Sequence, residues 1–237
     1  MEIIPAVDIK NGQCVRLYQG DFNQETVFGD TPVEFARRWE SLGATRLHVV
    51  DLDGAAAGSP KNWTVVQQIV NGAGIPVELG GGLRDMETIK MALDTGVQRV
   101  VLGTAAIENP SLVERACKKY GAAIVVGVDA RNGMVALKGW TFGSGVRAED
   151  LISAMSGIGA RRFIYTDISK DGTLTGPNFE ALAELRKQTD RPVIASGGVS
   201  TMGHLEKLAD LGVEGVIIGR AFYTGDLDPK KVLARQW

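Results

Sequence analysis

Short apolar runs alternate with longer amphipathic stretches along the whole chain. The runs occupy residues 3–7, 47–50, 76–79, 100–102, 124–128, 163–165, 192–195 and 215–218. They are built mostly of Val and Ile, and each is followed by a polar residue or Gly. Such runs suit strands buried on both faces of a parallel sheet. Between them, helical periodicity marks 32–42, 86–95, 110–120, 149–158, 179–187 and 204–211. Asp30-Thr31-Pro32 and Asn109-Pro110 place a capping side chain before a first-turn proline. Gly43, Gly96, Gly121 and Gly212 follow helical stretches, where a terminating glycine belongs. Eight strands alternating with helices, without a linker, predict one α/β domain, a single (β/α)8 TIM barrel over 1–237. An open doubly wound sheet is the alternative.

The pattern also repeats. Shifted by 116 residues, 11 of the 30 positions 76–105 meet an identical residue, without a gap. Gly81-Gly82 meets Gly197-Gly198, and Gly103 meets Gly219. The same register pairs Arg46 with Arg162, Asp51 with Asp167 and Asn62 with Asn178. At the start of each half the offset becomes 121, and Asp8 meets Asp129. Self-similarity held from strand to strand marks duplicated units. The chain is therefore expected to be two half-barrels, about 1–121 and 122–237.

Composition narrows the function. The 237 residues carry a net charge of −2 without a basic run, which disfavours nucleic acid and anionic membranes as partners. Two cysteines, Cys14 and Cys117, make no disulfide framework and point to a reducing compartment. The N-terminal segment lacks a basic n-region, and Pro5 and Asp8 break its apolar stretch, so no signal peptide is expected. No stretch approaches the ~20 apolar residues of a membrane span. A cytoplasmic protein, expected as a monomer, fits these features. The 30 glycines are about twice the ~7% of average usage, and turns and phosphate loops are the usual reasons for such an excess.

Gly81 and Gly82 follow the third strand, and Gly103-Thr104 the fourth. Their counterparts Gly197, Gly198, Gly219 and Arg220 follow the seventh and eighth. Glycine lets the backbone approach an anion, and barrels often hold phosphate after strands 7 and 8. The repeat then predicts a second phosphate site after strands 3 and 4. A long substrate with a phosphate at each end would span both, aided by Arg16 and Arg220. Tight βα turns would explain the glycines without any ligand.

Asp8 and Asp129 end strands 1 and 5, which lie opposite each other in an eight-stranded barrel. They would flank the middle of such a substrate as a general acid and a general base; turn capping is the plainer reading. Thr166 could bond the reacting region. Asp51 and Asp167 would orient loops or a glycine cradle. Asp171, Gly172 and Gly176 lie in the polar loop 169–178, expected to close near the site. Trp140 could stack on a planar group or anchor its own loop. His48 and His204 are far apart and no Cys is near either, so no metal is expected, and no cofactor motif is present.

At these residues the chain resembles the histidine-biosynthesis isomerase family. The resemblance rests on segments 4–21 (Ile-Pro-Ala-Val-Asp-Ile-Lys-Asn-Gly-Gln-Cys-Val-Arg-Leu-Tyr-Gln-Gly-Asp), 77–84, 127–131, 138–140, 165–178 and 195–199. It covers essentially the whole chain, and segments 4–21 and 165–178 are the most specific. It implies an Amadori rearrangement of an aminoaldose to an aminoketose on a bisphosphorylated imidazole carboxamide ribotide. It further implies that Asp8 accepts a proton, Asp129 donates one, Thr166 assists, and the loops of Arg16 and Trp140 fold over the substrate. The sister cyclase of the pathway usually reads Cys-Leu-Asp in its first strand, against Ala6-Val7-Asp8 here. A bifunctional isomerase, also active on phosphoribosylanthranilate, usually has Arg where this chain has Lys138. A non-catalytic phosphate-ligand binder would gain nothing from the two aspartates.

Overall fold

The computed structural model describes all 237 residues. Its framework is a ring of eight strands: β1 (Glu2–Lys10), β2 (Leu47–Asp51), β3 (Val77–Gly80), β4 (Arg99–Leu102), β5 (Ile124–Arg131), β6 (Phe163–Asp167), β7 (Val193–Ser196) and β8 (Gly215–Ile218). Neighbours pair in parallel from β1 to β5, β6 to β8, and β8 to β1. β5 then pairs with β6, Asp129 opposite Thr166. That last pairing closes the ring and excludes the open sheet. β3 and β7 each begin one residue later than expected, after Pro76 and Pro192, because proline has no N–H to give a ladder.

One helix completes each βα unit: α1 (Pro32–Ser41), α2 (Trp63–Gly72), α3 (Met86–Asp94), α4 (Pro110–Tyr120), α5 (Ala148–Gly157), α6 (Phe179–Gln188), α7 (Met202–Asp210) and α8 (Pro229–Leu233), and three short helices, Leu52–Ala57, Thr104–Glu108 and Arg220–Thr224, directly follow β2, β4 and β8. α2 and α8 lie outside the stretches that helical periodicity marks. α7 starts two residues before its expected limit because the Thr201 hydroxyl caps it, accepting from His204 N at 3.2 Å. Asn109 caps α4 as anticipated, but Thr31 makes no cap bond, and Asp30 accepts from the Gln13 side chain instead. No helix is long and apolar enough to cross a membrane. Both cysteines are free and buried.

Strand alternation divides the core. Leu47, Val49, Val77, Leu79, Val100 and Leu102 belong to a 52-residue cluster between the sheet and the helices. The intervening residues face into the ring. There Ile4, Ala6, Val125, Ile164, Ile194 and Ile217 form a second, smaller cluster. Above it the inward positions turn small or polar: Asp8, Gly80, Gly103, Gly127, Asp129, Thr166, Ser196 and Gly219 all line one cavity. The core thus fills the barrel from below and leaves the mouth hollow.

The segments after β1 and β5, expected as loops, form hairpins. Strand Gln13–Tyr18 folds back antiparallel on β1 and pairs in turn with Asp21–Gly29. Met134–Leu137 folds back on β5 and pairs with Phe142–Arg147. The turns are Asn11-Gly12 (φ 50° and 79°) and Asn132-Gly133 (φ 53° and 77°). Two positive φ values in a two-residue loop are what a twisted hairpin demands, and Asn-Gly supplies them most readily.

Candidate active site

All but one of the anticipated residues line a single cavity of about 240 Å³ at the C-terminal ends of the strands. Asp8 on β1 and Asp129 on β5 stand across the ring, four strands apart in either direction. Asp8 Oδ2 accepts from Arg16 Nη1 at 2.6 Å, and its Oδ1 makes no protein hydrogen bond. Arg16 also donates to the Ala6 carbonyl, lies 4.7 Å over the Tyr223 ring, and is buried. Its charge therefore serves Asp8 first. Burial weakens the guanidinium's hold on its proton, but Asp8 and its other neighbours prevail and the pKa is raised.

Asp129 is in a different environment. Burial raises its pKa, while hydrogen bonds from Trp140 and Thr166 pull it back. Trp140 Nε1 donates to Asp129 Oδ2 at 2.8 Å. The indole thus latches onto the carboxyl. A third carboxyl joins them: Asp171, in the loop after β6. Burial, and then the nearby Asp8 charge, push its pKa up to about 7, with Arg16 opposing. Three carboxyl groups in one mouth thus differ in their partners, which is the condition for dividing proton donation from acceptance.

The glycine turns flank this set in two matched pairs. Gly81 (φ 108°) and Gly82 (φ 75°) follow β3; Gly197 (φ 100°) and Gly198 (φ 82°) follow β7. A side chain at Gly81 would collide with the Asp51 backbone, and one at Gly197 would sit 3.0 Å from the Asp167 carbonyl. These positions need glycine both for conformation and for space. Asp51 Oδ1 and Asp167 Oδ2 each accept from an Asn side chain eleven residues on, Asn62 and Asn178, both at 2.7 Å. Each aspartate thus holds the loop that carries its asparagine. Gly103 and Gly219 adopt nearly the same conformation (φ −95°, ψ −90° and φ −100°, ψ −105°). Thr104 and Arg220 stand next to them and also line the cavity. Arg220 Nη1 donates to the Gly172 carbonyl at 2.6 Å, which ties it to the Asp171 loop.

Gly176 is the residue outside the cavity lining. Its N–H donates to Gly198 O at 2.9 Å, so it braces the turn from behind. The hairpins roof the mouth. The Trp140 ring packs directly on Gly20, and Phe22 lies close to Gly139. Gln19 N donates to Asp171 O at 3.2 Å, and Gln19 Nε2 to Ser169 O at 2.8 Å, which docks the first hairpin on the β6 loop. The cavity also includes His48, Phe22, Arg84 and Leu174, which the sequence reading did not place there. For His48 the signal was present: it is the inward residue of β2, one position before Val49 of the outer core. No group of three or more His, Cys, Asp or Glu residues stands in position to hold a metal ion.

The family model described as "Histidine biosynthesis protein" matches residues 2–228. A protein of Chloroflexus aggregans is 59% identical over 225 residues, covering 95% of this chain and 93% of its own length. One of Dehalococcoides mccartyi (strain CBDB1) is 56% identical over 231 residues, covering 98% and 95%. One of Roseiflexus castenholzii is 55% identical over 234 residues, covering 99% of both chains. Each of the three is named 1-(5-phosphoribosyl)-5-((5-phosphoribosylamino)methylideneamino) imidazole-4-carboxamide isomerase, and none is named a cyclase. With a family match over nearly its whole length and relatives above half identity, this chain belongs to the histidine biosynthesis protein family.

Proposed function

We propose that the chain is the aldose–ketose isomerase of histidine biosynthesis, acting on the bisphosphorylated ribotide in its relatives' names. The observation that carries this reading is the single cavity that Asp8, Asp129 and both pairs of glycine turns line from different sides. The turns at Gly81-Gly82 with Gly103-Thr104, and at Gly197-Gly198 with Gly219-Arg220, bind the two terminal phosphates through backbone N–H groups. The aminoaldose is then pinned at both ends, with its reacting carbons between the carboxyls.

The Amadori rearrangement needs two proton movements. The furanose ring oxygen gains a proton as the ring opens to a Schiff base. A proton then leaves C2′ to give the enolamine, which tautomerises to the aminoketose. Asp129, whose pKa burial raises, donates the first proton. Asp8, with Oδ1 unoccupied, takes the second. Thr166, the cross-strand partner of Asp129, steadies it. One observation favours a second assignment of the acid: Asp171 holds its proton up to about pH 7 and faces the same cavity. Trp140 must release Asp129 before that carboxyl acts, and the freed ring stacks on the imidazole carboxamide.

The half-barrels 1–121 and 122–237 are the proposed units of this site. Support comes from the matched conformations of Gly81 with Gly197 and Gly103 with Gly219, and the matched bonds of Asp51 with Asp167. The direct test is turnover of the purified ribotide, run beside phosphoribosylanthranilate. Conversion of the ribotide alone is expected. Comparable rates on both would assign two activities, and none on the ribotide would overturn the proposal.

A further inference from the structure

One row of inward side chains differs in kind between the two halves. Across β1 to β4 the paired positions are Ala6, His48, Glu78 and Arg99, each opposite the next. His48 Nδ1 lies 2.8 Å from Glu78 Oε1, and Arg99 Nη1 lies 3.5 Å from Glu78 Oε2. The Glu78 side chain has no exposed surface. Moving His48, Glu78 and Arg99 by 116 residues gives Ile164, Ile194 and Gly215, paired in the same order on β6, β7 and β8. Ile164 and Ile194 belong to the apolar cluster inside the ring. The same architecture thus fills the positions of His48 and Glu78 with hydrocarbon when nothing else is asked of them. A buried carboxylate is harder to desolvate than isoleucine, so packing alone does not account for the polar version.

We propose that Glu78 is a positioning residue that fixes the tautomer of His48 for contact with substrate. Its carboxylate accepts the Nδ1–H, and the Nε2 lone pair is left facing the cavity. There it accepts a hydrogen bond from a hydroxyl of the sugar being rearranged. Three observations support this. Arg99 already gives Glu78 a counter-charge, and an arginine does not deprotonate in a protein, so the carboxylate does not depend on the imidazole for its counter-charge. Nε2 has no protein partner, and His48 lines the cavity. Ala6, the cross-strand partner of His48, precedes Asp8 by two positions on the same face of β1, which places the imidazole on the cavity floor beneath that carboxylate. A histidine with one nitrogen held by a buried carboxylate has its ring orientation and proton location set by that bond.

This inference rests on the isomerase reading for its substrate group, but the tautomer can be read without it. Long-range ¹H–¹⁵N NMR on the full chain is expected to show His48 protonated at Nδ1 and bare at Nε2. A ring protonated at Nε2 overturns the proposal. In turnover of the ribotide, H48N keeps an N–H for Glu78 but loses the cavity-facing nitrogen. It is expected to lose at least tenfold in kcat/KM with its melting temperature near wild type. H48Q reaches toward the Nε2 position and is expected to recover part of that loss. E78I, which installs the residue found at 194, is expected to fold, mix the two His48 tautomers and lower kcat/KM at least tenfold. Retention of kcat/KM within twofold by both H48N and E78I overturns the proposal. If the wild-type chain leaves the ribotide unconverted, the isomerase reading fails, and the NMR result still decides the role of Glu78.

Discussion

Asp8, Asp129 and Asp171 are one residue type in three electrostatic settings, and each setting predicts a different response. Asp8→Asn is nearly isosteric and still accepts from Arg16 through its amide oxygen. It should abolish turnover, with more than about 4 kcal/mol added to the barrier (a thousandfold in rate), while isothermal calorimetry still detects ligand binding. Near wild-type turnover would remove Asp8 from the mechanism. For Asp129→Asn a loss of several orders of magnitude is expected, and less than tenfold would argue against it as the acid. Asp171 gives a pH prediction. Its folded pKa of about 7 lies above the ordinary carboxyl range, so the folded chain binds this proton more tightly than the unfolded one. Stability contributed by the group is present below about pH 4 and is lost as pH rises to about 7. Thermal melts of Asp171→Asn across that window should show a shallower decline than wild type. An unchanged slope would show that Asp171 titrates normally.

Among the elements, the paired glycine turns make the sharpest claim. Gly81→Ala forces a side chain into the Asp51 backbone at φ 108°, and Gly197→Ala meets a looser contact at φ 100°. Both should destabilise, Gly81→Ala by about 2 kcal/mol or more and Gly197→Ala by less, as urea midpoints would reveal. Equal losses would mean that backbone strain, not space, sets the cost. These turns were legible in the sequence because a repeated Gly-Gly after a Val-rich run has few other uses. The barrel strands were legible for the same kind of reason, being short, apolar and bounded. The hairpins were not, because Asp21–Gly29 is largely exposed and carries no period-2 apolar face. Only Asn11-Gly12 and Asn132-Gly133 announced them. Arg16 was legible as a cation near the site, but its pairing with Asp8 requires the hairpin itself, which the sequence announces only through Asn11-Gly12. Asp171 was placed by its loop, whereas its raised pKa depends on burial and on neighbours from β1 and β5.

For the molecule as a whole, the barrel sheet joins residues 1–121 to 122–237 at two strand seams, β4 with β5 and β8 with β1. If each half is a structural unit, co-expressed fragments 1–121 and 122–237 should assemble and recover measurable turnover, checked by size-exclusion chromatography and assay of the joined fraction. Failure to associate would leave the repeat as sequence history only. Ring closure has a further consequence. A closed barrel has no unpaired sheet edge, yet Asp21–Gly29 and Phe142–Arg147 each pair on one side alone. The only strand borders open to another chain therefore lie at the rim of the mouth, where Val27 and the 62% exposed Phe142 add apolar surface. Aggregation by strand addition would start at the rim that substrate must cross, so saturating ligand should slow it and an emptied cavity should favour it.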